Sequence, residues 1–328
     1  VYKRQLLNLD TEEDDELTIG CAGGVDIAAT GHYESVPAPA DSVAFRVAVR
    51  GLSGGHSGTQ IHEGRGNANK IMNRLLWNAS ENFDIRIAEI DGGGLRNAIP
   101  RESHASVVVA ESQAGDFQNW LANFADVISA EYKTTDPDLV VACESVQPVP
   151  EKVLPEKTQQ ILLGAVYGVH SGIFRMSPDV EDLVQTSNNL ARVLVKDGGI
   201  TIGCLTRSSV DSERDDLANA IKAVLQLTGA KIEFGSDYPG WQPKPDSAIV
   251  RLMSSLYQEM FGESAHVAAC HAGLECGIIG THYPEMQMIS FGPTILGAHS
   301  PDERAQISSV QKFWKYLTET LKRVPEKS

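Results

Sequence analysis

One order of elements can be read twice in the middle of this chain, and that repeat limits its folds more than any other feature. "NANKIMNRLLWNA" places Ala68, Ile71, Met72, Leu75, Leu76 and Ala79 on one helical face behind an Asn67 cap. Strands follow at about 84–90 and 103–110, then a helix with Phe117, Trp120, Leu121, Phe124 and Ile128, then a strand near 138–146. A helix near 156–168 precedes "ARVLVKDGGITIGCLTRS", two strands about a Gly-rich hairpin turn. Asp211 opens a helix bearing Leu217, Ile221, Val224 and Leu225, which ends at Gly229, and "KIEF" is a short strand. Helix, two strands, helix, strand thus occurs twice between about 67 and 234, which predicts a duplicated α+β unit.

The flanks read differently. Leu6 to Leu9 form a buried strand, and "DSVAFRVAVR" alternates Val43, Phe45, Val47 and Val49 as a strand with one buried face. After the Pro-rich "DYPGWQPKPDS" comes a helix of Ile249, Leu252, Met253, Leu256 and Met260. Short strands, "MQMIS" and a final amphipathic helix (Val310, Phe313, Trp314, Leu317, Leu321) complete the chain. This is α/β wiring. Residues 1–26 and 236–328 are expected to be parts of one α/β domain, interrupted by an insertion at 27–235. Groups from both ends would then meet at the carboxyl ends of its strands. The chain begins at Val1, and "VYKRQ" running straight into an apolar strand reads as a junction, with an N-terminal portion absent.

Composition narrows the partners. Forty-three acidic against twenty-eight basic residues give a net charge of −15, which disfavours nucleic acid or an anionic membrane. No apolar run reaches the length of a transmembrane helix. Cys21, Cys143, Cys204, Cys270 and Cys276 form no CxxC pair, so a reducing cytoplasm is the expected location.

Several motifs could carry chemistry. "GAHSPDER" (297–304) offers His299 as a metal ligand braced by Asp302 or Glu303, or else a polar loop capping a helix. "NLDTEEDDE" places Asp10 just beyond a strand, where a carboxylate can bind a metal, though an acidic run is also simply a solvated loop. "GGHSG" (54–58) sets His56 among glycines that allow close backbone approach to a ligand, or form only a tight turn. "GGGLRNAIP" and "CLTRS" offer Asn97 and Arg207, an amide and a guanidinium suited to gripping a carboxylate. "HAGLECG" (271–277) holds His271, Glu275 and Cys276; a Cys–His hydrolase would use such a pair, but no orienting signature accompanies it. "EGRGNANK" lacks the GK[ST] of a phosphate loop.

Together "NLDTEE", "GLSGGHSGTQIHEGRGNANK", "LRNAIPRE", "YPGWQP", "HAGLECG" and "SFGPTILGAHSPDE" resemble the Xaa-His (aminoacyl-histidine) dipeptidases. These are co-catalytic zinc peptidases related to aminoacylase and carnosinase. The resemblance runs from about residue 6 to the C-terminus. It implies an α/β zinc-peptidase catalytic domain, here incomplete, interrupted by a duplicated α+β lid. It also implies metal-dependent hydrolysis of Xaa-His and similar short peptides in the cytoplasm, with a homodimer compatible with such a lid.

The roles carried by the resemblance are specific. Asp10 matches a ligand of one zinc and His299 a ligand of the other, with manganese or cobalt as substitute metals. His56 matches the histidine that contacts the substrate or its tetrahedral intermediate. Asn97 and Arg207 match residues that hold the substrate, Arg207 through its C-terminal carboxylate. Gly273 lines the substrate pocket, with Glu275 beside it. The family's His-x-Asp motif, bridging aspartate and general-base Glu-Glu pair would lie ahead of Val1, so this chain alone is expected to be inactive. The rival readings are a related deacylase or tripeptidase, and a non-catalytic lid or assembly fragment.

Overall fold

The computed structural model describes residues 5–296 and 303–323. The chain opens with β1 (Gln5–Asn8), β2 (Glu16–Cys21), β3 (Gly23–His32) and β4 (Ser42–Arg50). Helix α1 (Ala68–Asn82), strands β5 (Arg86–Gly93) and β6 (Ser103–Ala110), helix α2 (Ala114–Tyr132) and β7 (Val140–Val146) follow. Next come α3 (Glu156–Gly168), β8 (Gly172–Met176), β9 (Val184–Lys196), β10 (Gly199–Ser208), α4 (Asp211–Gln226) and β11 (Lys231–Tyr238). The last elements are α5 (Ala248–Phe261), β12 (His266–Cys270), α6 (Glu275–His282), β13 (Gln287–Ser290) and α7 (Ile307–Arg323).

The middle of the chain builds a large antiparallel sheet in the order β7-β4-β6-β5-β9-β10-β3-β11, with β8 added on β9. It resolves into two β-α-β-β-α-β units. In β4-α1-β5-β6-α2-β7 the fourth strand lies outermost, beside the first, then the third, then the second. Strands β3, β9, β10 and β11 with helices α3 and α4 repeat that arrangement. The expected five-element repeat therefore has a sixth member, a leading strand in each copy. The first copy is also nested inside the second, between β3 and α3. The two meet edge to edge, with Arg192 opposite Gly93 and Val195 opposite Ile90.

All four helices of this region lie on one face of the sheet, because each has a single apolar stripe to bury. Phe45, Val47 and Val49 of β4, Ile71 and Leu75 of α1, Phe117 and Leu121 of α2, Leu162 of α3 and Ile221 of α4 share one core. Each such side chain contributes about 1.5–3 kcal/mol on burial. The Asn67 side chain caps α1 by accepting from the backbone N–H of Asn69 and Lys70.

The two ends of the chain form a four-stranded sheet, β1-β13-β2-β12, with β1 parallel to β13 and β2 parallel to β12. Leu17, Ile19, Met253, Leu256, Tyr257, Ile289 and Tyr316 join it to α5 and α7, while Cys21, Trp241, Cys276 and Met288 pack by α6. The strand expected at Leu6–Leu9 as buried is Gln5–Asn8 and only half-buried, with Leu9 exposed. The reason is position: β1 is an edge strand whose partner among the described residues is β13. The chain leaves this sheet at Cys21, enters the large one at Gly23 and departs from it after Tyr238. The expected limits, 27 and 235, fall inside β3 and β11. No described helix is long and apolar enough to cross a membrane.

Candidate functional site at the junction of the two sheets

His56 lies between β4 and α1 in a loop whose shape is set by glycine. Gly54 and Gly55 have φ of +64° and +133°, conformations that side-chain-bearing residues rarely adopt. The turn lets Gly55–His56 pair with Ala98–Ile99, and Ser57 N–H donates to the Asn97 carbonyl at 2.8 Å. The loop is closed at its base by Asp136, 1% exposed, which accepts from Ser53 N–H at 2.8 Å and Gly66 N–H at 2.7 Å. The Gly58 and Thr59 N–H groups both donate to His56 Nδ1, at 3.2 and 3.1 Å. A ring nitrogen that accepts carries no proton, so the neutral ring holds its proton on Nε2 as a donor. Burial, with the Arg207 charge adding to it, lowers the His56 pKa and favours that neutral form.

Arg207 is reached from the other copy of the repeat. Ser187, Arg207, Gly24 and Tyr238 are register partners on β9, β10, β3 and β11. Register partners share a face. That face is opposite the helices, since Leu190, Cys204 and Val25, at odd spacing from the row, belong to the helix-covered core. Gly24 has a steric reason to be glycine: a methyl group there would lie 2.6 Å from the Tyr238 hydroxyl. The hydroxyl instead accepts from Arg207 Nη1 at 2.9 Å. Arg214 fixes the end of β11 by donating to the Tyr238 carbonyl at 2.8 Å.

The loop after β12 closes over this row. His271 Nε2 and Ser187 Oγ are 2.8 Å apart, and Gly273 lies against the Tyr238 ring. Gly58, beside His56, approaches the His271 carbonyl so closely that a methyl group would stand 2.3 Å from its oxygen. Burial first, and the Arg207 charge second, hold the His271 pKa down at about 3 against the opposing Val184 carbonyl. His56, Arg207 and Gly273 are thus joined by a chain of contacts through Ser187, Tyr238 and His271. Asn97 belongs to the same rim: its backbone is tied to Ser57, while its side chain faces outward in an exposed turn.

Asp10 lies exposed just past the end of β1 in the small sheet. The segments leaving β1 and β13 run side by side there, with Phe291 N–H donating to Asn8 O and Ile295 N–H to Glu12 O. His299 and Asp302 lie outside the described residues. Among the described residues no three His, Cys, Asp or Glu side chains converge to hold a metal. Asp10 alone falls short of the three or four ligands a zinc site needs. The described donors therefore do not make up a metal site.

Cys276 does not pair with His271 as a nucleophile would. It is packed with Cys21, Trp241 and Met288, and burial pushes its thiol up to about 12. Glu275 is exposed at the start of α6. The residues missed by sequence reading are Ser187 and Tyr238. The available signal was the polar run "QTSNN" (185–189), which is buried strand rather than loop.

Comparison with known proteins agrees with this architecture. Residues 47–136, most of the first copy of the repeat, match the peptidase dimerisation domain of the M20 peptidases. The chain is 38% identical over 322 residues to the cytosol non-specific dipeptidase of Escherichia coli K12, covering 98% of this chain and 66% of that one. The crystal structure of aminoacylhistidine dipeptidase from Vibrio alginolyticus superposes with a TM-score of 0.95 at 38% identity, covering 100% of this chain and 67% of the other. The chain belongs to this dipeptidase family within the M20 peptidases. It spans about two thirds of the length of both relatives. Peptidases of this family are generally metal-dependent.

Proposed function

We propose that this chain is the peptide-gripping part of a metal-dependent dipeptidase that hydrolyses Xaa-His and similar short peptides. The observation that carries the reading is Arg207, a guanidinium 4% exposed with no carboxylate partner among the described residues. A buried unpaired cation costs several kcal/mol, which an anionic ligand offsets. The free carboxylate of a short peptide suits that place. His56 then presents its Nε2–H to the carbonyl that gains negative charge during hydrolysis. Asn97 holds the peptide from the rim, and Gly273 leaves room for it against Tyr238.

In this reading residues 27–235 are the lid, and residues 1–26 and 236–328 are part of the catalytic domain. Asp10 and His299 supply one ligand to each of two zinc ions, or of manganese or cobalt replacing them. Two observations support the pairing: the strand ends β1 and β13 are adjacent, and the chain beyond each runs toward the same rim. The cytosolic naming of the Escherichia coli relative supports a cytosolic location. The charge of −15 favours a small peptide over nucleic acid or membrane as partner. The match to a dimerisation domain supports a homodimer.

The test is turnover of a substrate panel with zinc or manganese. The chain alone should show no appreciable activity. A chimera supplying the portion of the Vibrio relative that this chain does not span should cleave Xaa-His dipeptides faster than tripeptides or N-acyl amino acids. Faster cleavage of N-acyl amino acids would make it a deacylase. Robust turnover by the chain alone would refute the ligand assignment.

A further inference from the structure

The sheet face that carries Arg207 holds a second buried polar group, His271. The row Ser187, Arg207, Gly24, Tyr238 places four positions side by side on one face of the large sheet. Tyr238 engages Arg207 Nη1 from one end of the row. At the other end His271 stands on Ser187 at 2.8 Å. Among the described residues two buried polar atoms of this cluster, Arg207 Nε and His271 Nδ1, make no hydrogen bond of normal geometry, and the Val184 carbonyl faces the His271 ring. Their residues are 4% and 7% exposed. Unpaired buried donors are rare in folded proteins, and each such group calls for an explanation. Two in one connected cluster share a single one, a ligand that supplies acceptors.

We infer that His271, oriented by Ser187, is a second and uncharged donor to the peptide carboxylate bound by Arg207, and makes the pocket selective for a free C-terminus. The inference rests on the dipeptidase reading of the same site. In the proton arrangement this role requires, the Ser187 hydroxyl donates to His271 Nε2 and the ring proton sits on Nδ1. A carboxylate offers several lone pairs and accepts from Arg207 Nε and His271 Nδ1 together. A C-terminal amide offers one uncharged carbonyl oxygen to serve both donors and puts N–H groups where the second carboxylate oxygen would be, so its bonds to them are weaker and less well directed. Because His271 stays neutral, it adds a directional bond without a second positive charge beside Arg207. The Gly58–His271 contact sets the carboxylate end of the peptide close to the His56 loop, as a two-residue substrate requires.

The experiment is calorimetric titration of the 328-residue chain with glycyl-histidine and with its C-terminal amide. The unaltered chain should bind the acid at least about tenfold more tightly than the amide. His271→Ala should weaken binding of the acid by about 10–100-fold, the range for one hydrogen bond to a charged group, and leave the amide unchanged. Ser187→Ala, which keeps the ring and releases its orientation, should show a smaller loss in the same direction. Should His271→Ala fail to fold, nitrogen NMR of the unaltered chain decides. The Nδ1 proton of His271 should shift on addition of the acid and not of the amide. Equal losses for acid and amide, or a silent Nδ1, overturn the inference. If Arg207→Ala removes acid selectivity while His271→Ala preserves it, the His271 role falls and the dipeptidase reading stands. If the unaltered chain does not discriminate acid from amide, both fall.

Discussion

His271 carries the clearest pH signature of any residue in the site. Its folded-state pKa is about 3, against an ordinary value of 6.5, because it is buried beside Arg207. Between those values the unfolded chain binds a proton that the folded chain does not, so acidification favours unfolding. The stability is fully present above about pH 6.5 and is lost as the pH falls below it, at up to about 1.4 kcal/mol per unit from this group. His271→Asn should flatten the fall in urea-unfolding stability between pH 7 and pH 5. An unchanged slope would mean that the ring titrates normally in the folded chain. At this scale the sequence was partly legible. His56 and Arg207 stand out in short motifs, and Asn97 follows a glycine turn. Ser187 and Tyr238 carry no such mark, because each matters only through its partner across the sheet, and the partners are 20 or more positions away.

The elements position these groups through a few buried clamps. Asp136, just beyond α2, holds both ends of the His56 loop by accepting from Ser53 and Gly66 N–H and from the Thr135 hydroxyl. Asp136→Ala leaves two backbone donors without an acceptor. It should cost about 2–4 kcal/mol in denaturant unfolding and speed amide exchange between residues 53 and 66. A loss below about 1 kcal/mol would show that the loop is held by other contacts. Helix positions were readable from periodicity, since α1, α2 and α4 each present one apolar stripe. Local pattern does not mark the leading strands as part of the repeat. β4 alternates clearly but stands apart from α1 by the glycine loop. β3, "GGVDIAATGH", is rich in glycine and alanine and takes its place by pairing with β10 and β11, both more than 150 residues later. Register across such separations is set by which faces are buried, and short-range pattern does not report it.

Across the whole molecule, stability is unevenly spread. One core runs beneath both copies of the repeat, whereas the small sheet has an edge at β1 and an apolar helix face in the open. Trp314 of α7 is 62% exposed, and Ile307 and Leu321 are exposed with it. Hydrogen exchange should therefore show the strongest protection in β4, β5, β6, β9 and β10, and faster exchange in β1, β13 and α7. Equal or greater protection in the four-stranded sheet would contradict this ordering. The nested repeat also explains how His56 and Arg207 meet. They come from different copies, and the seam between β5 and β9 makes one continuous sheet from the two. The most direct measurement is a crystal structure of the chain with glycyl-histidine bound. The account predicts the peptide on the sheet face opposite the helices, its carboxylate within roughly 2.7–3.2 Å of Arg207 Nε and His271 Nδ1. A peptide bound elsewhere, such as on the helix face beside Arg74, or one whose carboxylate points away from Arg207, would contradict it.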